Sequence, residues 1–179
     1  MSEFNYYVDG AATMRKDNNG NYIRGAGGWS FIFIQDNQPI EIQYGGAPKT
    51  TNQEMELYSI LAALRHFCSM GCHNTVIEIY SDSAYSINIY TKWIKNWEKN
   101  NWTRSKGEPI INLSIIKETW RLIKEIQNHF KTKIVWTKVK GHNNIKYNEM
   151  ADEYAVKGKK ESEKNNLIVD YKNDGFLKH

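Results

Sequence analysis

The sequence is poor in cysteine, has no apolar run long enough to span a membrane, and shows no signal-peptide pattern in its opening "MSEFNYYVDG". These absences argue against a membrane protein and against a disulfide-stapled secreted one. Cys68 and Cys72 are the only two cysteines; with no further cysteine and no nearby pair of histidines, they read as reduced packing residues rather than zinc ligands. The default compartment is therefore the cytoplasm. Charge of one sign is also in short supply. A formal net charge of +4 across 179 residues is compatible with a polyanionic partner without demonstrating one. No internal repeat is visible. The chain is 40% hydrophobic and 25% charged, which suits one globular domain with a sizeable core.

The pattern along the chain begins with strands. Phe4, Tyr6 and Val8 alternate with Asn5 and Tyr7 up to Asp9-Gly10. A polar, turn-rich loop, "RKDNNGNYIRGAGG", follows, and then "WSFIFIQ" and "IEIQY" read as a hairpin. "TTNQEMELYS" opens a helix near Asn52: Thr51 followed three positions later by Glu54 fits a capping box, and Leu57, Ile60, Leu61, Leu64, Phe67 and Cys68 supply its buried face. That helix ends around Gly71. "TVIEIYSD" is a strand closing on Asp82, "SAYSINIYTKWIKNWEKNNW" reads as helical, and a further helix runs from Leu113 to Phe130. "KIVWTKVKGH" is the last strand, after which Asn148 is placed to cap a final helix, "EMADEYAVKGKK". Three consecutive strands favour an antiparallel meander, and the later strand–helix alternation favours parallel additions. The expected fold class is thus mixed α/β: a five-stranded sheet, three strands antiparallel and two added in parallel, flanked by helices. The expected domain spans 1–158. The segment 159–179, rich in Lys, Glu and Asn apart from "LIVDY", reads as a charged, solvated tail.

Glu56 does not fit this pattern. It lies on the line Glu56, Ile60, Ala63, Phe67, along the edge of the helix face that should be apolar, where an unpaired carboxylate is costly. Other acids converge on it. Asp9 and Asp82 each end a strand; if those strands are parallel neighbours, both carboxylates reach one edge of the sheet, where open sheets of this kind bind ligands. Asp152 stands in the first turn of the last helix, beside Glu149. Taken singly, Asp9 and Asp82 read as turn residues and Asp152 as a complement to the helix dipole. Taken together, crowded carboxylates repel one another, and an all-oxygen ligand set favours magnesium or manganese over zinc.

The pieces "YVDG", "TTNQEMEL", "YSDSAYSI", "WIKNWEKNNW" and "VKGHNNIKYNEMADEYA", in this order and spacing, resemble the type 1 ribonuclease H family over roughly Tyr6 to Val156. Members of that family cut the RNA strand of RNA–DNA hybrids. The resemblance implies a ribonuclease H-like fold and an endonuclease using two Mg2+ ions, with Mn2+ as a substitute. Asp9, Glu56, Asp82 and Asp152 match its metal-binding acids, with Gly10 beside the first. His142 matches a histidine on a mobile loop that assists proton transfer or product release, and Glu149 an acid implied in metal and product handling. Asn52 and Gln53 match residues that reach the minor groove of the hybrid. Lys49, Thr51 and Asn112 match a pocket for a phosphate of the DNA strand, and Trp93 and Trp97 match aromatics lining the DNA channel.

On a helix, Lys92, Lys95 and Lys99 form a basic stripe beside Ile89, Trp93 and Trp97. The two tryptophans read equally well as core packing and as substrate contacts. Two departures stand out: the loop after the first strand is longer than the family's proline-containing glycine loop, and Ala84 replaces a polar groove contact found in some members. A related metal-dependent nuclease or strand-transfer enzyme and a hybrid-binding module without catalysis are the competing readings. The expected partner is an RNA–DNA hybrid, bound by a monomer with no membrane association.

Overall fold

A computed structural model describes residues 3–140 and 146–165 of the chain. Its first strand, β1 (Glu3–Ala12), buries Phe4, Tyr6 and Val8 on one face, as their alternation predicts. Two short strands, β2 (Arg15–Lys16) and β3 (Tyr22–Ile23), pair within the polar loop that follows. β4 (Gly25–Gln35) and β5 (Gln38–Thr50) form the expected hairpin, closed by Asp36 and Asn37, both at positive φ, the geometry that matches the right-handed twist of the strands. β6 (Val76–Ser81) and β7 (Lys133–Lys138) add in parallel, so the main sheet has the order β5-β4-β1-β6-β7. The sheet is antiparallel on one side of β1 and parallel on the other, the mixed architecture read from the sequence.

Helix α1 (Asn52–Met70) packs across β1 and β4. Thr51 caps it by accepting from the Glu54 N–H at 3.1 Å, and Gly71, at a φ of 67°, ends it in the left-handed conformation that glycine adopts without strain. Helix α4 (Leu113–Asn128) lies against α1 on the same side of the sheet. The largest buried cluster fills the space between sheet and helices on this side, with Tyr6, Trp29, Phe31, Phe33, Leu61 and Phe67 among its members. Helix α5 (Lys146–Asn165) covers the opposite face over β1, β4 and β5. It approaches the sheet very closely: a Cβ on Gly28 of β4 would fall 2.0 Å from the Ala155 carbonyl oxygen. β4 is buried along nearly its whole length because it is covered from both sides.

Three details differ from the sequence reading. The helical stretch after Asp82 is divided into α2 (Ala84–Asn88), a π-helical turn (Ile89–Trp93) and α3 (Ile94–Lys99). The Ile94 N–H reaches back to the Ile89 carbonyl, inserting one residue into the turn while both isoleucines stay buried. Asn148 lies inside α5 rather than at its cap; Lys146 and Tyr147 are already helical, and the Tyr147 ring packs 5.5 Å from that of Tyr7. Finally, α5 continues through 159 to Asn165, held by Tyr44 Oη donating to Glu161 at 3.0 Å and Thr13 Oγ1 donating to Glu163 at 2.9 Å. Residues 166–179 of the expected tail lie outside the described residues. No described helix is long and apolar enough to cross a membrane.

The end of β1 meets the start of α1 backbone to backbone. A Cβ on Gly10 would lie 2.3 Å from the Glu56 nitrogen and 2.4 Å from the Met55 carbonyl carbon. Neither is a flexible side-chain end, so the strand or the helix would have to move. Gly10→Ala is expected to destabilise the fold by about 1–3 kcal/mol, the usual cost of overpacking a filled interior. Chemical denaturation checks this, and a midpoint equal to that of the parent would contradict the contact.

Candidate active site

Parallel pairing puts two of the acids side by side. Tyr7 of β1 is in register with Tyr80 of β6, and two residues further along the chain from each stand Asp9, still in β1, and Asp82, the residue after β6. The Gly10 contact sets the first turn of α1 against this same edge, which brings in Glu56. Ligand oxygens of Asp9, Glu56 and Asp82 all lie within 4.8 Å of one another. Asp9 is buried, Glu56 half-buried and Asp82 exposed, so the cluster opens to solvent on the Asp82 side.

Asp152 is not within that tight group, but its charge acts on it. α5 brings it there through two contacts with β4: the close approach over Gly28, and a hydrogen bond in which the buried Ser30 hydroxyl donates to the Ala151 carbonyl at 2.5 Å. Ser30 is the β4 partner of Asp9, so one strand position links the helix of Asp152 to the strand of Asp9. Glu149 is exposed in the first turn of the same helix. His142 lies outside the described residues.

Burial and mutual repulsion raise the proton affinity of the cluster. Asp9 is pushed up to about 8, first by desolvation and then by the charges of Asp82 and Asp152; the Gly10 N–H, which donates to its Oδ1 at 2.9 Å, opposes the shift. Glu56 is raised by desolvation first and then by Asp9 and Asp82. Desolvation is likewise the first cause for Asp82, with the Asp152 charge adding to it. Glu56 Oε2 is buried with no hydrogen-bond partner among the described residues. A close set of oxygen donors, short of partners and reluctant to ionise together, fits a hard divalent cation of the magnesium or manganese type.

The expected nucleic-acid contacts fall into two places. Lys49, Thr51, Asn52 and Gln53 lie within five successive positions across the β5–α1 junction. Lys49 and Gln53 are exposed, Thr51 caps α1, and Asn52 Oδ1 accepts from the Ala12 N–H at 2.6 Å, so the carbonyl end of that side chain is committed to the fold. Asn112 precedes α4 at a φ of 62°, half-buried. Trp93 and Trp97 belong to a separate groove of about 630 Å³, lined also by Tyr85, Asn96, Asn100 and Arg104. Their rings are 5.9 Å apart, and both pack against the core cluster. The two readings of these tryptophans are therefore compatible: one side packs the core while the other faces the groove. Lys92, Lys95 and Lys99 are all exposed.

Sequence reasoning missed one prominent feature. Glu54, read only as half of a capping box, is 1% exposed and forms an ion pair with Arg24, while Thr50 Oγ1 donates to its other oxygen at 2.6 Å. The available signal was an acid at helical spacing among apolar residues, the same signal that drew attention to Glu56. Its partner, thirty residues earlier in a loop, left no local trace.

A sequence model of the RNase H family matches residues 1–160. The chain is 38% identical to Ribonuclease H of Hahella chejuensis over 162 residues, covering 90% of this chain and 97% of that protein. Among solved structures, the RNase H domain of PFV superposes with a TM-score of 0.71 at 18% identity, over 89% of this chain and 95% of that one. LC9-RNase H1, a type 1 RNase H with the type 2 active-site motif, gives a TM-score of 0.67 at 23% identity, over 88% and 72%.

The raised acids give a pH dependence with a definite sign. A carboxyl whose proton affinity is higher in the fold than in the unfolded chain contributes stability that is full below its unfolded value, 3.8 for Asp9, and is lost as pH rises through its folded value of about 8. With metal chelated, the chain is therefore expected to become less stable between pH 5 and pH 8, and Asp9→Asn should flatten that decline. Thermal unfolding in chelator across this range is the check; a parent melting point that rises with pH over the same window would contradict the reading.

Proposed function

Because the chain belongs to the ribonuclease H family, we propose that it hydrolyses the RNA strand of RNA–DNA hybrids by a two-metal-ion mechanism centred on Asp9, Glu56, Asp82 and Asp152. The observation that carries this reading is the convergence of three carboxylates within 4.8 Å on β1, α1 and the end of β6. Two bound Mg2+ ions, with Mn2+ as substitute, would supply an activated water, stabilisation of the negative charge on the phosphoryl oxygens, and help for the leaving oxygen. The four carboxylates would hold the ions in place; Gly10 fixes the spacing between Asp9 and Glu56.

The remaining residues divide the labour of recognition. Asn52 and Gln53 read the minor groove, where the 2′-hydroxyl distinguishes RNA from DNA. Lys49, Thr51 and Asn112 hold a phosphate of the DNA strand. Trp93 and Trp97, with Lys99 close by, guide that strand through their groove. His142 assists proton transfer or product release, and Glu149 takes part in handling metal and product. The catalytic unit takes in α5 to Asn165, is followed by a charged C-terminal segment, and acts as a monomer in the cytoplasm.

The direct experiment is cleavage of a hybrid labelled on both strands. Cutting confined to the RNA strand and dependent on magnesium supports the proposal; a bound but uncut hybrid would favour a binding module, and equal cutting of both strands a less selective nuclease. Asp82→Asn removes ligand charge with little change in volume and is expected to abolish hydrolysis while the hybrid stays bound. Near-normal turnover in that variant would refute the metal assignment.

The basic stripe generates a separate expectation. Replacing Lys92, Lys95 and Lys99 together by Ala should weaken hybrid binding and flatten its salt dependence by up to about three phosphates' worth of released counterions. The helix should persist, since Ala is the better helix former. Binding measured across a salt series decides, and an unchanged slope would remove the stripe from the substrate path.

A further inference from the structure

We infer that Arg24 is an additional phosphate contact for the hybrid, a guanidinium that Glu54 holds in place at the β5–α1 junction; the inference rests on the proposed hybrid substrate. Arg24 stands between β3 and β4, immediately before Gly25, which pairs with Thr50 of β5. That register sets it beside the junction from which Lys49, Thr51, Asn52 and Gln53 project. The pairing with Glu54 is strongly asymmetric: the Glu54 side chain is 1% exposed and that of Arg24 is 33% exposed. Glu54 lies in the first turn of α1, and Thr50 donates to its second oxygen, so the carboxylate is fixed from three directions by its helix, by Thr50 and by Arg24.

Two readings account for this pair. In one, Arg24 only neutralises a buried acid, and its exposed third is incidental. The chemistry of the group favours the other. A guanidinium carries five N–H donors on a rigid plane, and with Nη2 donating to Glu54 the donors of Nη1 remain for a second anion. Its Nε is buried without an acceptor among the described residues, so the contact with Glu54 does not satisfy the whole group. A cation held in one rotamer by a buried partner also loses less freedom on binding than a solvated lysine does. A partly exposed and positioned guanidinium, next to Lys49 and the residues assigned to the minor groove, suits a phosphate oxygen.

The experiment measures binding of a short RNA–DNA hybrid over a salt series, in the hydrolysis-deficient Asp82→Asn background. Arg24→Gln keeps a donor for Glu54 and removes the charge. Arg24→Met with Glu54→Gln removes both charges while the Gln side-chain oxygen still accepts from Thr50, so no buried donor is stranded. Both changes are expected to lower the slope of log affinity against log salt by about 0.7–0.9, one phosphate, and to weaken binding roughly three- to tenfold at low salt. The double variant should do so while melting like its background protein, which a purely structural role for Arg24 would not produce. A parent slope in either folded variant overturns the assignment. Failure of the Asp82→Asn background itself to bind the hybrid would instead overturn the proposed substrate, and this inference with it.

Discussion

The arrangement depends on a single backbone contact, that of Gly10 against Met55 and Glu56. Side chains normally keep a strand and a helix well apart. At Gly10 nothing intervenes, and a Cβ there would sit 2.3 Å from the Glu56 nitrogen. The residue before the contact is Asp9 and the residue across it is Glu56, so the packing that closes the core also forces two carboxylates together. Parallel pairing of β1 with β6 adds Asp82 at the same edge. The fold thereby concentrates negative charge where a neutral arrangement would be more stable, and the raised proton affinities of all three acids record that tension. A divalent cation bound among the three would relieve it.

The opposite face of the sheet completes the site by similar means. α5 lies almost on the backbone of β4 at Gly28, and Ser30 ties its first turns to the strand position paired with Asp9. Asp152 thus comes from a helix on one side of the sheet and Glu56 from a helix on the other. Only the edge of the sheet, where both helices begin, is within reach of both. Burial from two sides also explains why desolvation, rather than charge repulsion, is the first cause of the shift at Asp9.

Much of this was legible in the sequence because it depends on short-range patterns. Alternation gave β1, the Thr51–Glu54 spacing gave the start of α1, and an acid on an apolar helix edge gave Glu56. Asp82 directly follows β6 as read, whereas β1 continues past Asp9 to Ala12; the shared edge follows from parallel pairing rather than from both acids ending their strands. What escaped was non-local. The Arg24–Glu54 pair joins residues thirty apart, and no periodicity announces the π-helical turn from Ile89 to Trp93. Asn148 looked like a cap by residue type, but the packing of Tyr147 on Tyr7 carries the helix past it. Local propensity yields to tertiary contact at such positions.

The proposed cation site belongs to the fold itself: its three closest carboxylates are gathered by backbone packing and strand pairing, independent of any nucleic acid. Its most direct test is the melting temperature of the chain alone as magnesium or manganese is titrated in near pH 8, where the unrelieved repulsion is greatest. A ligand that binds only the folded state raises the melting point progressively with its concentration. The account predicts such a rise in the parent chain and its loss in Asp9→Asn. A melting point indifferent to both metals, or raised equally in parent and variant, would contradict it.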